Sequence, residues 1–198
     1  MGYQMTAALL LLAFYGCYFV KMLDQKKKGI RTDQLGKNKT GFVKFIEIAV
    51  KLASVLTLVT ELVSIVLRTT LFPGWMRIFG IGIAALGVVI FIVSVCTMRE
   101  NWRAGVPSER QTELVTGGIY QISRNPAFLG FDLVYIGLLF LFFNFVLMIV
   151  TVLTILLFHL QIVNVEEEFL LSAFGGEYAA YKSRVYRYLG RKRRSRQI

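Results

Sequence analysis

Apolar and polar positions in this chain fall into long blocks, with none of the short alternation of a strand. Residues 3–23 form a first greasy run, 42–67 a second and 75–98 a third, and 127–165 are apolar almost without interruption. A helix that crosses a bilayer takes roughly 20 predominantly apolar residues, so each of the first three runs predicts one membrane span. The fourth is too long for one. As a single straight helix it would reach about 58 Å at roughly 1.5 Å per residue, nearly twice the roughly 30 Å hydrocarbon core. It therefore reads as two spans folded back on each other, turning near Asn144 in "LFLFFNFVLM".

The polar blocks punctuate these runs. "DQKKKGIRTDQLGKNKTG", residues 24–41, is a basic loop rich in turn formers, and "RTTLFPG" ends the second run at a proline-glycine break. Residues 99–126 form a polar segment. Past the last run come an acidic triplet, the amphipathic stretch "LLSAFGGEYAAYKSRVYRYL" and a basic tail. No internal repeat is visible. The first run lacks a positive leader and a small-residue cleavage site, so it reads as a retained span rather than a removable signal. The prediction is an all-α polytopic membrane protein, with five transmembrane helices, the last two a helical hairpin, and a cytoplasmic C-terminal helix. Residues 1–198 form one domain, with three spans in 1–98 and the ligand-binding half in 99–198.

Charge orients this plan. With five spans, the segments 24–41, 99–126 and 165–198 share one face and hold six, four and eight Lys or Arg. The opposite face offers only Arg68. The positive-inside rule then puts the N-terminus outside and the polar segment and tail in the cytoplasm. Composition agrees: 56% of residues are hydrophobic and the net charge is +11. In so apolar a chain that charge speaks for anionic headgroups, not for nucleic acid. The two cysteines, Cys17 and Cys96, lie inside apolar runs and read as core filler. They provide neither a metal site nor a disulfide framework.

Candidate chemistry gathers at the two ends of the long run. "TGGIYQISRNPAFLG", residues 116–130, opens it. Asn125 is a favoured N-cap and Pro126 a favoured first helical residue, so the helix start would aim free N–H groups at whatever occupies the mouth. Gly117 and Gly118 permit a turn or a close approach to a ligand. At the far end, "NVEEEFLL" places Glu166, Glu167 and Glu168 directly after the membrane helix. Neighbouring helix residues point about 100° apart, so at most one or two of them face a common site. Acidic groups at a membrane edge tend to be functional, and the fold-back returns them to the face of "RNP". A carboxylate beside a helix N-terminus makes a clamp for a zwitterionic or cationic ligand. Asp132, inside the fourth span, would either line that cavity or pair with Lys44, Lys51 or Arg99.

"NWRAGVPSERQTELVTGGIYQISRNPAFLG", two spans, and then "EEEFLLSAFGGEYAAYKSRV" resemble the isoprenylcysteine carboxyl methyltransferase family and its phospholipid N-methyltransferase relatives. The resemblance covers residues 101–185. It runs through Gly118-Ile119-Tyr120, Arg124-Asn125-Pro126-Ala127-Phe128, Glu166-Glu167 and Phe174-Gly175-Gly176-Glu177-Tyr178. It implies a membrane enzyme that uses S-adenosylmethionine without a Rossmann domain, acting on a lipophilic or lipidated acceptor within membrane lipid. No strand-Gly-x-Gly-x-x-Gly unit is present.

Carried over by resemblance, the cofactor contacts are Thr112, Glu113, Leu114, Val115, Gly118, Tyr120, Asn125, Pro126, Ala127, Phe128 and Glu166. Glu166 would hold the cofactor's amino group, the start of the fourth span its carboxylate, and Tyr120 the adenine or the sulfonium. Glu167 is the candidate base for an acceptor that must lose a proton, with Arg124 as its catalytic neighbour. The family's histidine is Asn125 here, and its second tyrosine is Phe128. An arginine of prenylcysteine-type members, one turn before the first glutamate, is Ile162. On the acceptor side that leaves Ile162 itself, with His159, Gln161 and Asn164 as the nearby polar groups. Tyr178, Tyr181 and Val185 share a stripe that would wall the mouth. Two rival readings are a membrane sterol-type reductase using NADPH and a non-catalytic membrane scaffold.

Overall fold

The computed structural model describes residues 2–106 and 113–192. Six α-helices account for most of them: α1 (Gly2–Lys27), α2 (Gly41–Leu67), α3 (Gly74–Met98), α4 (Pro126–Leu141), α5 (Phe145–Gln161) and α6 (Glu167–Arg184). Among the described residues there is no strand, only isolated bridges at Asp33–Ala104 and Val185–Arg191. Four helical stretches are long and apolar enough to cross a membrane: Gly2–Lys27, Gly41–Leu67, Gly74–Asn101 and Phe145–Arg184, the last owing its apolar part to α5. α4 is equally apolar but has only 16 residues, about 24 Å of helix. The expected five long spans are thus four long apolar helical stretches and one short apolar helix.

Local chemistry sets the breaks. α2 ends where Arg68 turns left-handed at φ 55°, and Thr69 N–H reaches back to the Ser64 carbonyl. Pro73 then starts α3 with a fixed φ and no N–H to lose. The turn expected near Asn144 is present. Its side chain accepts from Leu147 N–H at 2.9 Å, an N-cap on α5, and its amide donates to Ser64 and Thr69 on the α2 side. Polar contacts continue along the α2–α5 seam, where Thr57 and Thr154 hydroxyls meet at 2.8 Å. Side-chain hydrogen bonds of this kind hold helices where lipid gives little hydrophobic drive.

α3 and α4 meet backbone to backbone. A methyl group added at Gly137 would stand 2.5 Å from the Ala84 nitrogen, and one at Gly87 would stand 2.7 Å from the Val134 nitrogen. Gly80 and Gly130 complete the seam, with carbonyls of the partner helix at 2.7 and 3.0 Å. Around it lies an aromatic core. Phe14 packs on Phe91 and Phe131, and Phe158 of α5 meets Phe128, Phe131 and Tyr135 of α4. At one end of the bundle Arg77 stacks on Tyr3, 3.9 Å from its centroid, and donates to the last carbonyl of α4 at Leu141. At the other end Gln25 meets Trp102 and Arg124 meets Glu167. That end carries the polar chemistry.

Of the cysteines read as core filler, Cys17 is half-buried and packs against the core, whereas Cys96 is exposed. Replacing Gly137 with alanine forces the two backbones apart. We expect a loss of about 1–3 kcal/mol, read as a lower unfolding midpoint in detergent. Gly82→Ala, where no atom lies within 4 Å, does not lower that midpoint, since alanine favours the helix.

Candidate functional site

A cavity opens at the polar end, walled by four pieces of chain. The end of α3 and the turn after it give Met98, Asn101, Trp102, Arg103 and Gly105. The approach to α4 gives Glu113, Leu114, Val115 and Tyr120, and its start gives Arg124, Asn125, Ala127 and Phe128. Glu166, Phe169, Leu170 and Tyr181 close the far side. The enclosed space is about 130 Å³. That is short of the roughly 300–1,000 Å³ of a small-molecule site, so a nucleoside-sized ligand would extend into the open mouth.

Glu166 and Glu167 are adjacent yet do different things. Between α5 and α6 the chain makes a π turn over Ile162–Glu166, closed by Glu167 N–H on the Ile162 carbonyl. One extra residue in the turn shifts the register, as π turns at functional sites commonly do. Glu166 thereby lines the cavity. Its Oε1 lies 3.5 Å from the Gln161 amide nitrogen, and Gln161, itself buried, keeps a carbonyl oxygen with no hydrogen-bond partner.

Glu167 instead anchors the mouth. Its carboxylate accepts from Arg187 at 2.7 and 3.2 Å and pairs with Arg124 at 3.0 Å and Lys182 at 2.9 Å, with only 5% of the side chain exposed. Burial pushes its pKa up, but the hydrogen bonds from Arg187 and Lys182 and the charge of Arg124 more than offset this and hold it at about 2. Arg124 also donates to the Tyr178 hydroxyl at 3.0 Å, and its buried Nε has no partner. Burial likewise raises the Tyr120 phenol, and Tyr181 donates to the Tyr120 carbonyl at 2.6 Å.

After α6 the chain returns as a strap across the start of α4. Arg124 N–H donates to the Tyr186 carbonyl, Asn125 N–H to that of Arg187, and Gly190 N–H to that of Ile122. This changes what Asn125 does. It occupies the N-cap position of α4 but makes no side-chain cap, and its amide donates to the Arg187 carbonyl at 3.2 Å instead. Helical geometry leaves the N–H groups of Ala127 and Phe128 without intrahelical acceptors, and both residues line the cavity.

Of the residues singled out by sequence, Glu113, Leu114, Val115, Tyr120, Arg124, Asn125, Ala127, Phe128, Glu166 and Tyr181 surround this one cavity. Thr112 lies outside the described residues. Pro126 is the first residue of α4, behind the lining. Gly118 supports the wall from outside it. Its φ is +57°, and a Cβ there would stand 3.0 Å from Thr97.

Three expectations need correction. Glu167 is not a free base, because three cations hold its carboxylate. Ile162 and His159 are off the lining: Ile162 is fully buried, and the strap supplies His159 with a partner, Tyr188, at 2.7 Å. Asp132 neither lines the cavity nor pairs with Lys44, Lys51 or Arg99. Its buried Oδ1 has no hydrogen-bond partner, and Lys51 binds Asp33 at 2.8 Å. Sequence reading missed the wall from Met98 to Gly105. Its signal was the polar "ENWRAG" directly after a span.

Helices of this length and apolarity, with a polar cavity at one end of the bundle, define a multi-pass membrane protein. The profile described as phospholipid methyltransferase matches residues 75–177, more than half of the chain and nearly all of the cavity wall. The chain belongs to that family. It is also similar to curated proteins named protein-S-isoprenylcysteine O-methyltransferase. The one from Tribolium castaneum is 28% identical over 64% of this chain and 48% of the relative. The B form from Arabidopsis thaliana is 28% identical over 68% of each. The Schizosaccharomyces pombe protein is 31% identical over 53% of this chain and 45% of its own length. Against the insect and yeast relatives, this chain spans about half their length.

Glu167→Gln leaves Arg124, Lys182 and Arg187 without their shared counter-charge. Breaking a buried pair from one side costs about 3–5 kcal/mol, so we expect a markedly lower unfolding midpoint and loss of amide protection at Arg124, Asn125 and Gly190. The pH dependence has a definite sign. The folded pKa lies below the ordinary 4.5, so the stabilisation is full above about 4.5 and lost as pH falls through about 2. Hydrogen exchange across that window checks it.

Proposed function

We propose that this chain is an integral membrane S-adenosylmethionine-dependent methyltransferase acting on a lipophilic or lipidated acceptor. One observation carries the reading: Glu166 faces, across a single cavity, the uncapped start of α4 and Arg124. An amino acid moiety brings an ammonium and a carboxylate. Glu166 suits the first. The free N–H groups of Ala127 and Phe128, with the unpartnered Nε of Arg124, suit the second. Leu114, Val115, Phe128 and Phe169 offer the apolar surface a nucleobase needs. On donor set and lining, the residues present fit the group.

When bound, the cofactor supplies an electrophilic methyl group on a cationic sulfur. The chain's own residues position and shelter the reactants. Glu167 keeps Arg124 in place through its ion pair rather than moving a proton. Apolar walls exclude water and so strengthen the electrostatics of Glu166 and Arg124. With Glu167 held as a carboxylate, the arrangement favours an acceptor that arrives already anionic and needs no base. The relatives named above are O-methyltransferases of isoprenylcysteine, and a lipid-anchored carboxylate fits this preference. Ile162 offers it no charge, so its counter-charge would come from elsewhere.

The membrane arrangement we propose counts α4 as the fifth crossing, paired with α5 in a hairpin. The excess of Lys and Arg in 24–41, 99–126 and the tail supports an outside N-terminus, with the cavity and C-terminus in the cytoplasm.

Thermal unfolding in detergent tests the reading. S-adenosylhomocysteine is expected to raise the midpoint and NADPH to leave it unmoved. Stabilisation by NADPH alone would favour the reductase, and by neither the scaffold. Glu166→Gln should weaken S-adenosylhomocysteine binding by about 10–100-fold, the worth of a charge-assisted hydrogen bond. Labelled S-adenosylmethionine with a panel of prenylated and lipid acceptors then identifies the product.

A further inference from the structure

The cavity walls at Asn101–Gly105 and Glu113–Val115 are held from behind by a residue of the first helix, outside the family-matched segment. Gln25 sits at the end of α1 with no exposed surface. Its amide nitrogen donates to the carbonyl of Trp102 at 2.8 Å and to that of Glu100 at 3.3 Å. Its carbonyl accepts from the Thr32 hydroxyl at 2.6 Å. Both ends of the side chain are therefore used, and the two carbonyls it grips flank Asn101.

Asn101 passes that restraint on. Its side-chain oxygen accepts from the backbone N–H of Glu113 at 3.0 Å, and Asn101, Glu113, Leu114 and Val115 all line the cavity. The backbone repeats the connection. Gln34 N–H donates to the Ala104 carbonyl at 2.8 Å, and Ala104 N–H to that of Thr32 at 3.0 Å. Gly105, at φ +85°, lets Leu35 press against the wall where a Cβ would stand 2.9 Å from it.

We propose that Gln25 is a positioning residue of the cofactor site: by gripping the peptides on either side of Asn101, it sets the register of the 113–115 wall that the ligand meets. The inference rests on the methyltransferase reading. It assigns the loop after the first helix, residues 28–36, a part in binding as the support of that wall. The residue itself touches no ligand, so its loss acts on affinity and leaves the chemistry of a bound complex largely intact.

The experiment measures S-adenosylhomocysteine affinity on the purified full chain in detergent, with KM and kcat where turnover is observed. Gln25→Glu keeps size and the acceptor for Thr32 but sets a carboxylate against two carbonyls. It is expected to weaken binding about tenfold, the loss of one to two buried hydrogen bonds, raising KM with kcat little changed. Asn101→Ala should do the same, and the double variant should be no worse than the poorer single, because both act through one path. Thr32→Val, which leaves the amide but frees its anchor, gives a smaller loss and serves if Gln25→Glu does not fold. Gln4→Ala removes a comparable bond, to the Ile65 carbonyl at 2.7 Å, at the other end of the bundle. It should leave affinity unchanged at similar destabilisation. Wild-type affinity in folded Gln25→Glu or Thr32→Val, additive effects in the double variant, or an equal loss in Gln4→Ala overturns the proposal. If the wild-type chain itself ignores S-adenosylhomocysteine, the methyltransferase reading falls, and this one with it.

Discussion

The polar end of this protein depends on where one buried carboxylate finds its counter-charges. Glu167 sits in α6, Arg124 just before α4, and Lys182 and Arg187 near and beyond the end of α6. Three separate stretches of chain converge on two oxygen atoms. A carboxylate and several cations withdrawn from water are costly apart and tolerable only together, so the cluster fixes α6 and the strap against the start of α4. Fixing the strap in turn consumes the Asn125 side chain, which leaves the helix start open toward the cavity. The open cap and the neutralised acid are two sides of one arrangement.

That arrangement divides the acidic triplet by function. Glu168 is exposed, Glu167 is structural and Glu166 faces the cavity. The division needs the π turn, because an uninterrupted helix would set neighbouring residues about 100° apart with no freedom to retune either one. The membrane bundle below is stiffened differently, by glycine contacts that bring α3 and α4 to backbone distance. The lid chemistry is ionic and the scaffold beneath it steric.

How much of this the sequence revealed follows from the range of each interaction. Helix positions were legible because apolar run lengths are local, and α2 and α3 begin within a residue of the expected 42 and 75. The turn at Asn144 was legible from length alone, without a glycine or proline to mark it. The converging segments were legible through motif order, and ten of the residues singled out share the cavity. The role of Asn125 was not. An asparagine before a proline reads as a cap until a carbonyl 62 residues away, that of Arg187, claims its amide. Glu167 misled for the same reason, since its partners lie up to 43 residues off in the chain. The Gln25 contact, 77 residues from Trp102, left no local mark at all.

α4 carries a further implication. It is the shortest of the apolar helices, and its neighbours cover all but a partly open stripe of Leu129, Leu133, Ile136 and Phe140. Beside α1, α2 and α3, of 25 to 27 residues, it is a rod of only 16. At about 1.5 Å per residue the shortfall is on the order of 14 Å. Its two ends nonetheless meet α3 within that helix, at Arg77 and at the Met98 side of the cavity, so the short rod fits inside its neighbour's length and leaves both rims of the bundle to other segments.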